Sequence, residues 1–389
     1  MRVAIISAVR TPIGKILGNL SKFKAVELGA IVIREAVKRA NIDKELIDLV
    51  IMGQVLQGGN GQNPARQSAI LGGLNSSIEA FTINEVCGSG LKAVMLGAQA
   101  IKAGDAEIVV AGGMESMTNT PHAIYLRNGI KYGNSEVIDL MIYDGLSCQF
   151  NNNVHMGHLA EYTAEKANIS REEMDQFAYE SHLKAIRAID NGYFKDEIVP
   201  IEVDGKIIEV DETPRRDTSI EKLSQLKPAF KKDGKVTAGN APSLSDGASA
   251  LILASERKVK ELNLKPLAWI LDYTSYFTEP KDLFFAPIGA FRKLMNKLNI
   301  KDINEFDLIE LNEAFASQVL ADYKELKWDW NKFNIYGGAI ALGHPIGASG
   351  ARILTTLIYA LRRNNKKLGI AGLCLGGGGS VAMAISTEY

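Results

Sequence analysis

Asn84-Glu85-Val86-Cys87-Gly88-Ser89-Gly90-Leu91-Lys92-Ala93 places a cysteine where small residues give way to a helical period. The spacing predicts a helix over 87–102, then a strand Glu107-Ile108-Val109-Val110-Ala111 and a turn at Gly112-Gly113. Upstream, residues 25–40 are helical in period and lead into an apolar run, 47–53, that ends in glycine. Short apolar runs alternating with helical periods are the grammar of α/β layers. The C-terminal part repeats that order: a helix over 288–298, a strand over 306–311, then Gly337-Gly338-Ala339-Ile340-Ala341-Leu342-Gly343-His344-Pro345-Ile346-Gly347-Ala348-Ser349-Gly350. A helix over 348–362 and a strand over 368–373 follow, and Cys374 opens the last glycine loop, 376–379. Two halves with the same parts in the same order predict an internal duplication, since solenoid repeats are much shorter.

Between the halves, residues 118–246 break the rhythm. They hold an amphipathic helix over 171–190, many loops and a Pro- and charge-rich stretch over 211–233, the pattern of an inserted segment that covers a site. The chain of 389 residues is therefore divided into an N-terminal α/β half (1–117 with 247–267), a covering loop domain (118–246) and a C-terminal α/β half (268–389). With 46% apolar and 23% charged residues the composition is that of a globular protein, and a net charge of −1 supplies no field for nucleic acid or an anionic membrane. No apolar run has the length of a membrane span. The strand-like Val3-Ala4-Ile5-Ile6-Ser7-Ala8-Val9 leaves no room for a targeting peptide. Three cysteines argue against a disulfide framework and for a reducing, cytoplasmic setting.

A cysteine beside a predicted helix N-terminus meets unpaired amides and the positive end of the helix dipole. Both favour the thiolate and predict a lowered pKa and a nucleophilic sulfur at Cys87. Its own amide is placed to join an oxyanion hole. The same pattern also fits an inert cysteine in a glycine-rich turn, and Cys374 has the same two readings. The glycines 376–379 suit a phosphate cradle, but no P-loop lysine follows, and no Gly-x-Gly-x-x-Gly follows the first strand. Cys148, His155 and His158 have a zinc-ligand composition but not the spacing of a familiar site, so no metal is expected.

Together these segments resemble the thiolase family, in its biosynthetic branch. The resemblance runs over essentially the whole chain: Ser7-Ala8-Val9-Arg10-Thr11-Pro12-Ile13-Gly14, the Cys87 block, Ala111-Gly112-Gly113-Met114-Glu115-Ser116-Met117, His155-Met156-Gly157, Thr237-Ala238-Gly239-Asn240, Asn312-Glu313-Ala314-Phe315-Ala316, the His344 block and the Cys374 loop. It implies a five-layer αβαβα thiolase fold whose halves share central helices. It also implies Cys87 as the acyl-accepting nucleophile, His344 as its activator and Cys374 as the general acid/base. Asn312 would hold a water in a first oxyanion hole, and the amides of Cys87 and Gly376 would form a second. Leu146, Met156, Phe230 and Phe315 would bound the acyl pocket and pantetheine tunnel, with His155, Ala238, Gly239 and Ala314 beside them; for Phe230, filling the loop domain's core is the competing reading. Arg215 would lie near the CoA nucleotide.

The implied reaction is reversible condensation of two acetyl-CoA to acetoacetyl-CoA and CoA, without metal or redox cofactor. The rivals are a degradative 3-ketoacyl-CoA thiolase of longer chain length and a non-enzymatic acyl-CoA or lipid-binding relative. Residues 122–142 resemble the loop by which biosynthetic thiolases form tetramers, implying a homotetramer, a dimer of dimers. Three departures bear on selectivity: Pro242 precedes Ser243 where a pantetheine-contacting serine is usual, Phe284-Phe285 adds bulk, and the last loop ends Gly378-Gly379-Ser380.

Overall fold

Most strands of the sheet are buried along their length, as the first illustrates: β1 (Val3–Arg10) has no exposed residue. Strands covered on both faces need layers on both sides. In this computed structural model, which describes residues 1–388, helices supply them. Along the N-terminal half run α1 (Ala25–Ala40), β2 (Leu49–Gly53), α2 (Pro64–Leu71), β3 (Glu79–Ile83), α3 (Ser89–Ala103) and β4 (Ile108–Ser116). The intervening stretch carries α4 (Met156–Lys166) and α5 (Arg171–Asp190), after which β5 (Ser245–Ser255) returns to the first sheet. The second half holds β6 (Ala268–Phe277), α6 (Ala286–Lys297), β7 (Leu308–Leu311), α7 (Ala316–Leu326), α8 (Ser349–Arg363), β8 (Leu368–Leu375) and β9 (Gly379–Ser386).

The strand order is β7-β8-β9-β6-β1-β5-β4-β2-β3, with the pair Gly14–Lys15 added on β5. From the middle outward both sides read alike: two antiparallel pairings, then parallel ones. The duplication is thus visible in the pairing pattern. The halves do more than share helices. Their equivalent first strands pair antiparallel, Val3 opposite Ile270 and Ile5 opposite Ala268, so the two sheets are hydrogen-bonded edge to edge.

Helices α3 and α8 pack on each other and each touches strands of both sheets, while α1 and α2 cover the outside of one sheet and α6 the outside of the other. The central pair is accordingly buried on nearly every side: α8 buries every position from Ser349 to Ile358, the polar Arg352, Thr355 and Thr356 included. A Cβ on Gly90 would come within 2.7 Å of the Ala351 nitrogen, and one on Gly350 would collide with Leu91. Only glycine lets these two helix N-termini meet.

Gly112-Gly113, expected from local preference as a turn, is instead the middle of β4, paired with Ala250 and Ser249. The glycines are there because neighbouring backbone, Ser249 on one side and Gly347 on the other, occupies the place of a side chain.

Candidate active site

The site lies where strands of both halves end. Cys87 sits in the turn between β3 and α3, two residues before the helix proper. Val86, just before it, has φ of 49°, a left-handed conformation costly for a β-branched residue. Ser89 holds this elbow: its hydroxyl accepts from the Glu85 amide at 2.9 Å and donates to the Val86 carbonyl at 2.6 Å. The turn thereby pushes the half-buried Cys87 out of the strand plane and toward the second half.

Cys374, Gly376 and His344 share a cavity with it from that half, and Asn312 stands behind His344. Cys374 is the penultimate residue of β8, buried at 1% exposure, and Gly376 follows the strand. Asn312, just beyond β7, is wholly buried. Its Nδ2 lies 3.4 Å from Nε2 of His344, and its Oδ1 has no hydrogen-bond partner among the described residues. His344 projects from the loop before α8, its amide donating to Ser245 Oγ at 3.2 Å. The Ser349 hydroxyl donates to the Pro345 carbonyl and lies 2.6 Å from His344 Nδ1. Since that hydroxyl proton is spent on Pro345, Nδ1 carries the proton donated to Ser349, and Nε2 keeps its lone pair for the site.

Cys87, His344, Cys374 and Gly376 line one cavity of about 310 Å³. Leu146, His155, Met156, Phe230, Ala238, Ser243, Ala314 and Phe315 lie on its wall, and Pro242 beside Ser243. Phe230 stacks on His155 at 4.8 Å and lines the cavity, and it also packs against the loop segment's apolar core, so both readings of it meet at one ring. Three expected residues lie off the wall. Asn312 stands behind His344, Gly239 packs against Leu223 and Leu226, and Arg215 is exposed with its amide on His182. Ser349 and Phe284 were missed as site residues. Phe284 lines the cavity and meets Phe315 edge-on at 5.3 Å; its signal was the bulk at a position noted as a departure. For Ser349 no spacing rule announces that the loop folds it back on the imidazole.

The expected depression of the Cys87 pKa is overturned. Burial pushes its thiol up to about 12, outweighing the amides of Cys87 and Gly376 that point at the sulfur, and Glu115 adds to the rise. Desolvation beats the helix terminus because the sulfur faces an apolar cavity, where a charge has little to solvate it. Burial and then the neighbouring Cys87 also hold Cys374 well above the ordinary thiol range. Burial, helped by the positive charge of Arg352, takes His344 down to about 3. The resting site therefore holds two uncharged thiols and a neutral imidazole whose Nε2 is open to a proton.

Among the described residues no group of three or more histidine, cysteine or acidic side chains is placed to hold a metal. Cys148 is buried with the Asn151 amide on its sulfur, while His155 and His158 both turn to Phe230. No described helix is long and apolar enough to cross a membrane.

The thiolase N-terminal domain family matches residues 3–257 and the thiolase C-terminal domain family matches 264–387. The chain belongs to the thiolase family. It is 49% identical to an acetyl-CoA acetyltransferase of Pseudomonas aeruginosa and 48% to one of Cupriavidus necator, each over 99% of both chains. A probable acetyl-CoA acyltransferase of Staphylococcus aureus is 47% identical over the same share. The crystal structure of the Bacillus anthracis acetyl-CoA acetyltransferase superposes with a TM-score of 0.96 at 43% identity, covering 99% of this chain and 98% of that one.

Proposed function

We propose that this protein is an acetyl-CoA C-acetyltransferase, condensing two acetyl-CoA to acetoacetyl-CoA and CoA and running the reverse thiolysis. The observation that carries the reading is the convergence of two thiols, one imidazole and two backbone amides on a cavity of about 310 Å³, room for a short acyl group. In the first half-reaction Cys87 gives its proton to Nε2 of His344 and its sulfur attacks the thioester carbonyl. The oxyanion forms against the amides of Cys87 and Gly376, each worth on the order of 3 kcal/mol when preorganised. The S–CoA bond breaks, and the departing thiolate takes the proton of Cys374, leaving as CoA.

The acetyl-enzyme now faces a Cys374 thiolate, with the imidazolium of His344 balancing its charge. A second acetyl-CoA gives an α-proton to Cys374, and the enolate oxygen is held by His344 and a water on Asn312. The enolate carbon attacks the acetyl carbonyl, the bond to Cys87 breaks, and His344 returns the proton to the released thiolate. Acetoacetyl-CoA leaves a site identical to the one that began. No metal or redox cofactor enters. Leu146, Met156, Phe230 and Phe315 limit the acyl group, and residues 118–246 form the cover between the two α/β halves. Ala238, Ser243 and Arg215 mark the path of pantetheine and nucleotide. The exposed apolar side chains Tyr125, Leu126 and Tyr132 on residues 122–142 suit a dimer of dimers, and the working compartment is the cytoplasm.

Intact-mass measurement after brief incubation with acetyl-CoA tests this. One acetyl adduct is expected on the wild-type chain and none on Cys87→Ala; a wild-type protein that takes no acetyl group, with its thiols reduced, refutes the reading. Faster thiolysis of 3-ketodecanoyl-CoA than of acetoacetyl-CoA would move the protein to the degradative branch.

A further inference from the structure

Glu115 takes no part in that chemistry and does not line the cavity, yet it is fully buried close behind it. Its carboxylate accepts three backbone amides: Val55 at 3.0 Å, Leu56 at 3.2 Å and Gly347 at 2.9 Å. The first two belong to the loop after β2 in the N-terminal half. The third belongs to the loop of the C-terminal half that carries His344. Gly347 lies directly on β4: a Cβ there would stand 2.7 Å from Glu115 Oε2, and one on Gly113 would strike the Gly347 carbonyl. The side chains next to these fastened amides, Val55, Leu56 and Ile346, form with Met117 the small apolar cluster against which Cys87 and Leu146 pack. Ile346 and Met117 also line the reaction cavity.

We propose that Glu115 is the positioning residue of the reaction, one carboxylate that fixes the His344 loop of one half in register over the Cys87 elbow of the other. The inference rests on the acetyltransferase reading above. The physical ground is that a buried carboxylate with three amide donors is satisfied only while all three segments keep their places. Moving any one leaves a buried acceptor short of a donor in an apolar setting, which holds the segments together more firmly than packing alone. Burial outweighs the three amides and takes the carboxyl up to about 7, so its full charge is present above that pH. The nucleophile and its base come from different halves of the molecule, so their separation depends on such a tie. A misplacement near 1 Å is enough to cost about a hundredfold in rate. The charge also reaches Cys87, whose thiolate it opposes; the other ionisable groups on that cavity wall are Cys374, His344 and His155, and Asp246 faces Glu115 from β5.

Glu115→Gln and Glu115→Ala, in the full chain, separate these contributions. Glutamine keeps the shape and can accept from Val55 and Gly347, but presents a donor to the Leu56 amide; alanine releases all three. With thiolysis of acetoacetyl-CoA as the assay, kcat is expected to fall about tenfold in Glu115→Gln and about a hundredfold in Glu115→Ala, with KM within about twofold. Alkylation of Cys87 by iodoacetamide, followed against pH, is expected to run faster at a given pH in Glu115→Gln, because the charge opposing the thiolate is gone. A folded Glu115→Gln with wild-type kcat and an unmoved alkylation profile overturns the proposal. If Glu115→Ala does not fold, the glutamine variant decides by itself. Wild-type protein is run alongside in the acetyl-adduct measurement. Its failure to acetylate would sink the acetyltransferase reading, whereas acetylation with indifferent Glu115 variants sinks only the positioning role.

Discussion

Cys87 shows how two local influences on one side chain are ranked by their size. The amides of Cys87 and Gly376 stabilise a thiolate, but removal from water costs more, and the thiol stays protonated with a pKa of about 12. With the folded-state pKa raised, the neutral form prevails at every pH below that value. The 240 nm thiolate absorbance of the wild-type protein at pH 7 should therefore match that of Cys87→Ala. An excess that disappears in the variant would mean a stored thiolate–imidazolium pair instead. His344, held down to about 3, is neutral at every pH above that value and is free to accept the proton when substrate arrives. Its readiness depends on Ser349, which binds Nδ1 at 2.6 Å and so selects the tautomer with Nε2 open. Ser349→Ala is expected to lower kcat by about 10- to 100-fold with little change in melting temperature, since the loss falls on the orientation of one ring. An unchanged kcat would show that packing alone holds the imidazole.

At the scale of elements, the site is assembled by the crossing of α3 and α8. Both helices begin with a Ser-Gly pair, Ser89-Gly90 and Ser349-Gly350, and in both the serine ties back the loop that bears the reactive side chain. The glycines lie at the contact itself, where each faces the other helix's backbone. Gly350→Ala should force the helices apart. Overpacking at about 1–3 kcal/mol exceeds the gain of about 1 kcal/mol from alanine's helix propensity, so a lower denaturant midpoint and a reduced kcat are expected together. A raised midpoint with full activity would show that the helices can separate without cost. The glycine-rich helix starts were legible in the sequence because clusters of small residues stand out against the apolar periods that follow them. Their pairing was not, because nothing in either segment says which helix it will meet. The same limit explains Gly112-Gly113, read as a turn by local preference and placed within β4 by a close approach from Gly347, distant in sequence.

Across the whole molecule, buried charge ties the inserted stretch to the first sheet. Arg10, wholly buried at the end of β1, donates from Nη1 and Nη2 to Asp211 at 2.6 and 2.9 Å and from Nε to Glu197. Asp211 also accepts the Ile13 amide at 2.8 Å, so one carboxylate serves two segments. Asp211→Asn leaves a buried guanidinium short of its partner, and a loss of roughly 3–5 kcal/mol in unfolding free energy is expected from chemical denaturation. A loss below about 1 kcal/mol would mean that Glu197 alone satisfies the cation.

The layered α/β class, the duplication and the residues with unusual chemistry follow from the order of the amino acids, because periodicity and glycine-rich turns are local properties that the chain carries wherever it goes. The thiolase resemblance added a partner and a role to each reactive residue. The hydrogen-bonded seam between the equivalent strands β1 and β6 and the reach of Ser349 to His344 come from the folded molecule. It alone placed Glu115 as a clamp across the halves and gave Cys87 a raised rather than a lowered pKa. Those outcomes depend on which distant segments exclude water from a group or supply its hydrogen bonds, and distance along the chain says nothing about that.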